Sequence, residues 1–158
     1  RRGKERSTGK HRPGWRAGDC RALNGANQGG MIRGIGTDLV LVSRIEAVLT
    51  RQGERFARRI LTADEFERFA AHGQPARYLA KRFAAKEALS KALGTGIGKV
   101  SWQDMETVND PAGAPAILLT GNAKKYLRKL GANNVLLSLS DERDFAVAFV
   151  VLTQTQQP

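Results

Sequence analysis

A chain of 158 residues with 41% hydrophobic and 26% charged residues is long enough for one domain with an apolar core and short for two. That composition excludes a wholly disordered chain, and the longest apolar run, from Phe145 to Leu152, is too short to cross a bilayer as a helix. The formal charge of +11 points to an acidic partner, but residues 1–30 hold eight Lys/Arg against two Asp/Glu, net +6, whereas the remainder holds eighteen against thirteen, net +5.

Residues 1–30 are rich in Gly, Arg, Lys and Asn with little apolar periodicity, and are expected to be a disordered extension foreign to the domain, Met31 being the natural start of a domain over 31–158. The single Cys20 forms no internal disulfide, no Cys/His cluster has zinc-ligand spacing, and no secretory signal is visible; a reducing, cytoplasmic setting fits. From Met31 to Val42, Gly34-Ile-Gly36 followed by an apolar run predicts a buried strand that passes close to another backbone at its glycines. Ser43-x-x-Glu46 predicts a capping box opening a first helix, which Gly53 stops. A second box, Thr62-x-x-Glu65, opens a short helix ending near Gly73, and Pro75 starts a long Ala-, Leu-, Lys- and Glu-rich helix that runs to Leu93 and stops at Gly94.

Met105 to Val108 and Pro115 to Thr120 flank the turn sequence Asn109 to Gly113 and predict a hairpin. Asn122 to Leu130 is a fourth helix, and Val135 to Ser140 with Phe145 to Leu152, about Asp141 to Asp144, predict a second hairpin. The order β-α-α-α-β-β-α-β-β argues for an α+β fold rather than a doubly wound parallel sheet.

Asp38 is a carboxylate within an apolar strand, so it caps the Ser43 helix, pairs with a cation or binds a metal. On the long helix Phe83, Glu87 and Lys91 stand at four-residue steps on one face; Glu87 and Lys91 read first as a solvated ion pair, the commoner outcome of that spacing, and second as site residues beside an alanine surface. Gly94-Thr95-Gly96-Ile97-Gly98 lacks the Lys-Ser/Thr of a Walker loop, and either ends a helix or brings backbone N–H groups to a phosphate. Arg44, Arg51, Arg55, Arg58 and Arg59 make a basic face, open to an acidic partner or to solvent alone. No zinc-finger or RNP-type motif accompanies it, so nucleic acid is not the expected partner; the rival of a basic nucleic-acid module rests on the overall charge.

Taken together, Gly34-Ile-Gly-Thr-Asp38-Leu-Val, Arg82-Phe-Ala-Ala-Lys-Glu87-Ala-Leu-Ser-Lys91-Ala, Gly94-Thr-Gly-Ile-Gly98 and Ser138-Leu-Ser140 with Phe145-Ala-Val-Ala resemble, in order and spacing, the holo-[acyl-carrier-protein] synthases. The resemblance covers Met31 to Leu152 and implies an α+β phosphopantetheinyl transferase, assembled as a homotrimer with each active site shared between adjacent subunits. It implies Mg²⁺-dependent transfer of 4′-phosphopantetheine from coenzyme A to a serine of acyl carrier protein, in fatty acid biosynthesis. In that reading Asp38 and Glu87 hold Mg²⁺, Glu87 and Lys91 are catalytic, and the base is left open between Glu87 and water. Arg82, Lys86 and the turn at Gly94, Thr95 and Gly96 take coenzyme A, and the Arg44, Arg51, Arg55 face docks the carrier. The chain departs from the family pattern at Asp141-Glu142-Arg143, where many members have a histidine, so no role of that histidine carries over. A broad-range transferase for peptide or polyketide carriers is disfavoured, since those resemble two such domains fused in a longer chain.

Overall fold

Alternation of large and small side chains decides which face of the main sheet is inside. In the computed structural model, which describes residues 32–155, that sheet is antiparallel and has the order β1 (Ile32–Leu41), β5 (Phe145–Thr153), β4 (Asn134–Asp141). Along β5 Ala146, Ala148, Val150 and Leu152 are fully buried while Phe145, Val147 and Phe149 stand on the opposite face, the period-2 pattern of a half-covered strand. Residues 1–30, Met31 and Cys20 lie outside the described residues, and with them the expected extension and start.

Between β1 and β4 the chain forms α1 (Val42–Gln52), α2 (Glu54–Ile60), α3 (Ala63–Ala70), the long α4 (Pro75–Ala92), a 3₁₀ turn (Trp102–Asp104), the hairpin β2 (Met105–Asn109) and β3 (Pro115–Leu119), and α5 (Gly121–Lys129). Helix α4 lies on the inner face of the sheet, with Ala84, Ala85, Ala88 and Leu89 fully buried. Small residues on both sides let the two backbones come close. A Cβ on Gly36 would enter the Ala88 carbonyl oxygen and stand 2.7 Å from Ala92 N; one on Gly34 would collide with the Ala92 carbonyl and reach Leu152 Cδ1 at 3.1 Å. The glycine approach read from the sequence is therefore an approach to this helix.

Two expectations need correction. Helix α1 begins at Val42, and neither Ser43 nor any other side chain caps it; the strand runs into the helix without a loop, and the Val42 N–H donates to the Asp144 carbonyl at 2.9 Å. Gly53 does stop the first helix, as expected, but a further helix follows it. At φ +58° it closes α1, through its N–H to Leu49 O at 2.8 Å, and turns the chain at once into α2, a helix absent from the predicted order. The second capping box is present: Glu65 N–H donates to Thr62 Oγ1 at 3.3 Å and Thr62 N–H to Glu65 Oε2 at 3.0 Å. Among the described residues no helix is long and apolar enough to cross a membrane.

Candidate active site

Period-2 geometry puts Gly34, Gly36, Asp38 and Val40 on the face of β1 that meets α4. The glycines let the helix pass, and Asp38 is the first side chain beyond them long enough to touch it. Lys91 Nζ donates to Asp38 Oδ1 at 2.7 Å and to the Thr37 carbonyl at 2.9 Å. Asp38 is thus paired with a cation and does not cap α1. One helical turn back, Glu87 lines the same cleft as Asp38, a hollow of about 670 Å³ walled by Val40, Ile45, Val48, Phe56 and Phe83 and rimmed by Arg44 and Arg51.

Partial burial pushes the Glu87 carboxyl above its ordinary value; the neighbouring Asp38 charge pushes the same way, and Lys91 opposes them. The two acids are therefore electrostatic neighbours. Such a pair ionises together most readily with a cation between its members, and carboxylate oxygens suit a hard divalent ion. Among the described residues no group of three or more His, Cys, Asp or Glu side chains is positioned to hold a metal. Two carboxylates here would leave positions for substrate oxygens and water, the pattern of Mg²⁺ sites.

The neighbouring row of α4, Tyr78, Arg82 and Lys86, does not line this cleft. Lys86 has no exposed surface, and its ammonium donates to Ile60 O at 2.6 Å, Glu65 Oε2 at 2.6 Å and Trp102 O at 3.1 Å. All three donors are used inside the protein, which corrects the expectation that Lys86 holds a phosphate of coenzyme A. Arg82 is 8% exposed; its guanidinium lies 4.4 Å over the Tyr78 ring, and Nε has no partner.

The turn after α4 is also read differently in three dimensions. Gly94 N–H donates to Lys91 O, and the amides of Thr95 and Gly96 both donate to Ser90 O, at 3.0, 3.2 and 3.3 Å. These donors close the C-terminus of the helix, so the backbone cradle for a phosphate is not formed here. What the turn does offer is open space: a Cβ at Gly94, Gly96 or Gly98 would meet nothing within 4 Å.

With this geometry in hand, the family model described as the 4′-phosphopantetheinyl transferase superfamily matches residues 34–150. The chain belongs to that superfamily. A relative named holo-[acyl-carrier-protein] synthase from Vibrio parahaemolyticus is 53% identical over 122 residues, 77% of this chain and 97% of the relative. The crystal structure of holo-[acyl-carrier-protein] synthase from Neisseria meningitidis superposes with a TM-score of 0.74 at 46% identity, covering 78% of this chain and all of that one. The Bacillus anthracis holo-(acyl-carrier-protein) synthase in complex with CoA (3′,5′-ADP) gives a TM-score of 0.67 at 40% identity, over 80% of this chain and all of that one.

Within this phosphopantetheinyl transferase the matched span includes Asp38, Glu87, Lys91 and the arginines of α1 and α2. Arg44, Arg51 and Arg55 are exposed, and among the described residues no carboxylate forms an ion pair with them. Sequence reasoning missed the role of Asp141: Lys81 Nζ reaches Asp141 Oδ1 at 3.3 Å and Arg77 Nε reaches Oδ2 at 4.0 Å, pinning the end of β4 to α4. It also missed Glu65 as the partner of Lys86. The capping box drew attention to Glu65, but no local spacing connects the two.

Proposed function

We propose that this phosphopantetheinyl transferase moves 4′-phosphopantetheine from coenzyme A to a serine of apo acyl carrier protein, releasing 3′,5′-ADP, with Mg²⁺ as its metal. Cytoplasmic fatty acid biosynthesis is the setting. The observation that carries the reading is that Asp38 and Glu87, from two distant segments, line one cleft while Lys91 pairs with Asp38.

In this reading the serine oxygen attacks the β-phosphorus, the bond to the bridging pyrophosphate oxygen breaks, and 3′,5′-ADP leaves with the electron pair. Asp38 and Glu87 would hold Mg²⁺, which when bound would supply positive charge against the pyrophosphate. Lys91 adds a second positive charge one turn from Glu87, and its half-exposed ammonium can swing from Asp38 to a phosphate oxygen. The serine proton needs an acceptor, and Glu87, whose carboxyl is held above its ordinary value, is a titratable group of the cleft suited to receive it. Coenzyme A would place a phosphate oxygen against the guanidinium of Arg82. The open turn at Gly94, Thr95 and Gly96 gives the pantetheine arm a backbone surface to lie on.

The apolar cleft wall between α1 and α2, rimmed by Arg44 and Arg51 with Arg55 beyond, suits an acidic carrier with an apolar patch. The outer face of the main sheet, bearing exposed Ile35, Leu39 and Phe149, supports a homotrimer in which a second copy covers it and completes the coenzyme A site.

Incubation with apo carrier, coenzyme A and Mg²⁺, followed by mass spectrometry of the carrier, tests this. A phosphopantetheine adduct on one serine, lost in Asp38→Ala and Glu87→Ala proteins that remain folded, is expected. No adduct with the wild type, or Mg²⁺-dependent transfer by either variant, sinks the proposal.

A further inference from the structure

Helix α4 carries Glu87 across a surface of glycine and alanine. Such a surface fixes how close the helix lies, but apolar contact is non-directional and small side chains raise no ridges to lock a helix against rotation about its axis. Leu89, Val150 and Leu152 and the half-exposed Lys91 bonds to Asp38 and Thr37 give part of the angle at which Glu87 faces Asp38, and a buried directional contact can fix the rest.

Lys86 is the residue next to Glu87, about 100° round the helix. It is the largest of the described side chains with essentially no exposed surface, and Glu65 is likewise fully buried. The three donors of its ammonium meet Ile60 O, the last residue of α2, Glu65 in the first turn of α3, and Trp102 O in the 3₁₀ turn. Glu65 in turn accepts from Thr62 N at 3.0 Å through Oε2 and from Thr107 N on β2 at 2.8 Å through Oε1. One buried ion pair therefore ties four other segments to a single angular position on α4. Burial of two charges brings little net stability even when all their bonds are made, and apolar replacements often serve as well. Directional bonds supply what the alanine interface lacks.

We propose that the Lys86–Glu65 pair is a positioning element for transfer: it fixes the rotation of α4 so that Glu87 stays turned toward Asp38. This deepens the functional reading above and rests on it. Lys86 touches no substrate and acts through its neighbour.

The test is the double variant Lys86→Met/Glu65→Gln, which removes both charges at nearly constant shape and so avoids stranding one of them. It is expected to fold, with a thermal midpoint within about 5 °C of the wild type. Mn²⁺ affinity, measured by calorimetry without substrates, is expected to fall at least tenfold. The kcat should fall at least tenfold while the KM for carrier changes less than twofold, and amide exchange over residues 83–91 should quicken. If the double variant does not fold, Glu65→Gln alone, which swaps one carboxylate oxygen for an amide nitrogen of the same shape, decides on the same readouts with losses of the same sign. A folded variant with wild-type Mn²⁺ affinity, kcat and exchange overturns the positioning role alone. A wild type that neither binds Mn²⁺ nor transfers the arm overturns the functional reading and this inference with it.

Discussion

Lys91 Nζ stands 2.7 Å from Asp38 Oδ1, so a residue of α4 already places a positive charge against an acid of β1 that lies 53 positions earlier in the chain. The ammonium and a divalent cation compete for that oxygen. Replacing Lys91 by Met should therefore tighten Mn²⁺ binding in the absence of coenzyme A, by up to about fivefold, since a half-exposed ion pair contributes at most ~1 kcal/mol. The same change should lower kcat by ~10²-fold through loss of charge at the phosphate. Calorimetry of the variant with metal alone separates the two roles; unchanged or weaker Mn²⁺ binding contradicts the competition.

Glu87→Gln should be more stable than the wild type at neutral and alkaline pH. Burial and the Asp38 charge raise the folded carboxyl above its ordinary value, so the folded chain holds a proton that the unfolded chain gives up between the two values. Stability contributed by this group accordingly falls as pH rises through that window, and the deficit persists above it. The neutral amide has no such deficit, and the difference in thermal midpoint should shrink toward zero below the unfolded carboxyl's range. Transfer should drop by at least ~10²-fold. A lower midpoint for the variant at pH 8 than for the wild type contradicts the sign.

Much of this arrangement is legible in one dimension. Gly34, Gly36 and Asp38 share a face because strands alternate, and Phe83, Glu87 and Lys91 share one because helices repeat every 3.6 residues. That the two faces meet is a long-range fact, reached from the sequence only through the family resemblance. Lys86 was misplaced because α4 is small-residue-rich on several sides, so no contrast of polar and apolar marks which neighbouring row is interior. Its partner Glu65 lies 21 positions away on another helix, beyond any local pattern. Ser43 reads as a cap because the capping motif is local, whereas the helix begins one residue earlier, at Val42, where the strand runs straight into it and the Val42 N–H donates to Asp144 O across the fold.

Gly36→Ala should destabilise by ~1–3 kcal/mol, the cost of overpacking, because its Cβ would press on the Ala88 and Ala92 backbone and not on a flexible side chain. Pushing α4 off β1 should also weaken Mn²⁺ binding. Gly94→Ala is the control: φ is +68° but the space is empty, so only about 1 kcal/mol of backbone strain is expected. Urea denaturation of both proteins checks the order; equal losses would mean the close approach carries no cost of its own.

Arg44→Ala should raise the KM for acyl carrier protein several-fold and leave the KM for coenzyme A nearly unchanged. Arg44 is exposed at the cleft rim and no carboxylate of the described residues pairs with it, so its charge can face an acidic partner. The carrier KM of the wild type should rise with ionic strength, and that of the variant should rise less. Steady-state kinetics at two salt concentrations decide this, and equal effects on both substrates would remove docking from this face.

The outer face of the main sheet presents Ile35 at 62%, Leu39 at 60% and Phe149 at 46% exposure, with Phe145 and Val147 beside them. In register Phe149 lies between Thr37 of β1 and Ser138 of β4, at the middle of that face, and Val147 pairs with Leu39. A contiguous apolar patch of this kind is costly to leave in water, and a carboxylate at its centre would be buried unpaired if a second copy covers it. Phe149→Asp should therefore sediment as a monomer where the wild type sediments as a trimer, while its inner face, Ala148 and Val150, keeps the chain folded. Circular dichroism and sedimentation velocity on both proteins report this directly, and a wild type that is monomeric at micromolar concentration contradicts it. Because the proposed coenzyme A site spans two copies, transfer should be lost along with assembly; a monomeric Phe149→Asp protein with full transfer would mean that one chain holds the whole site.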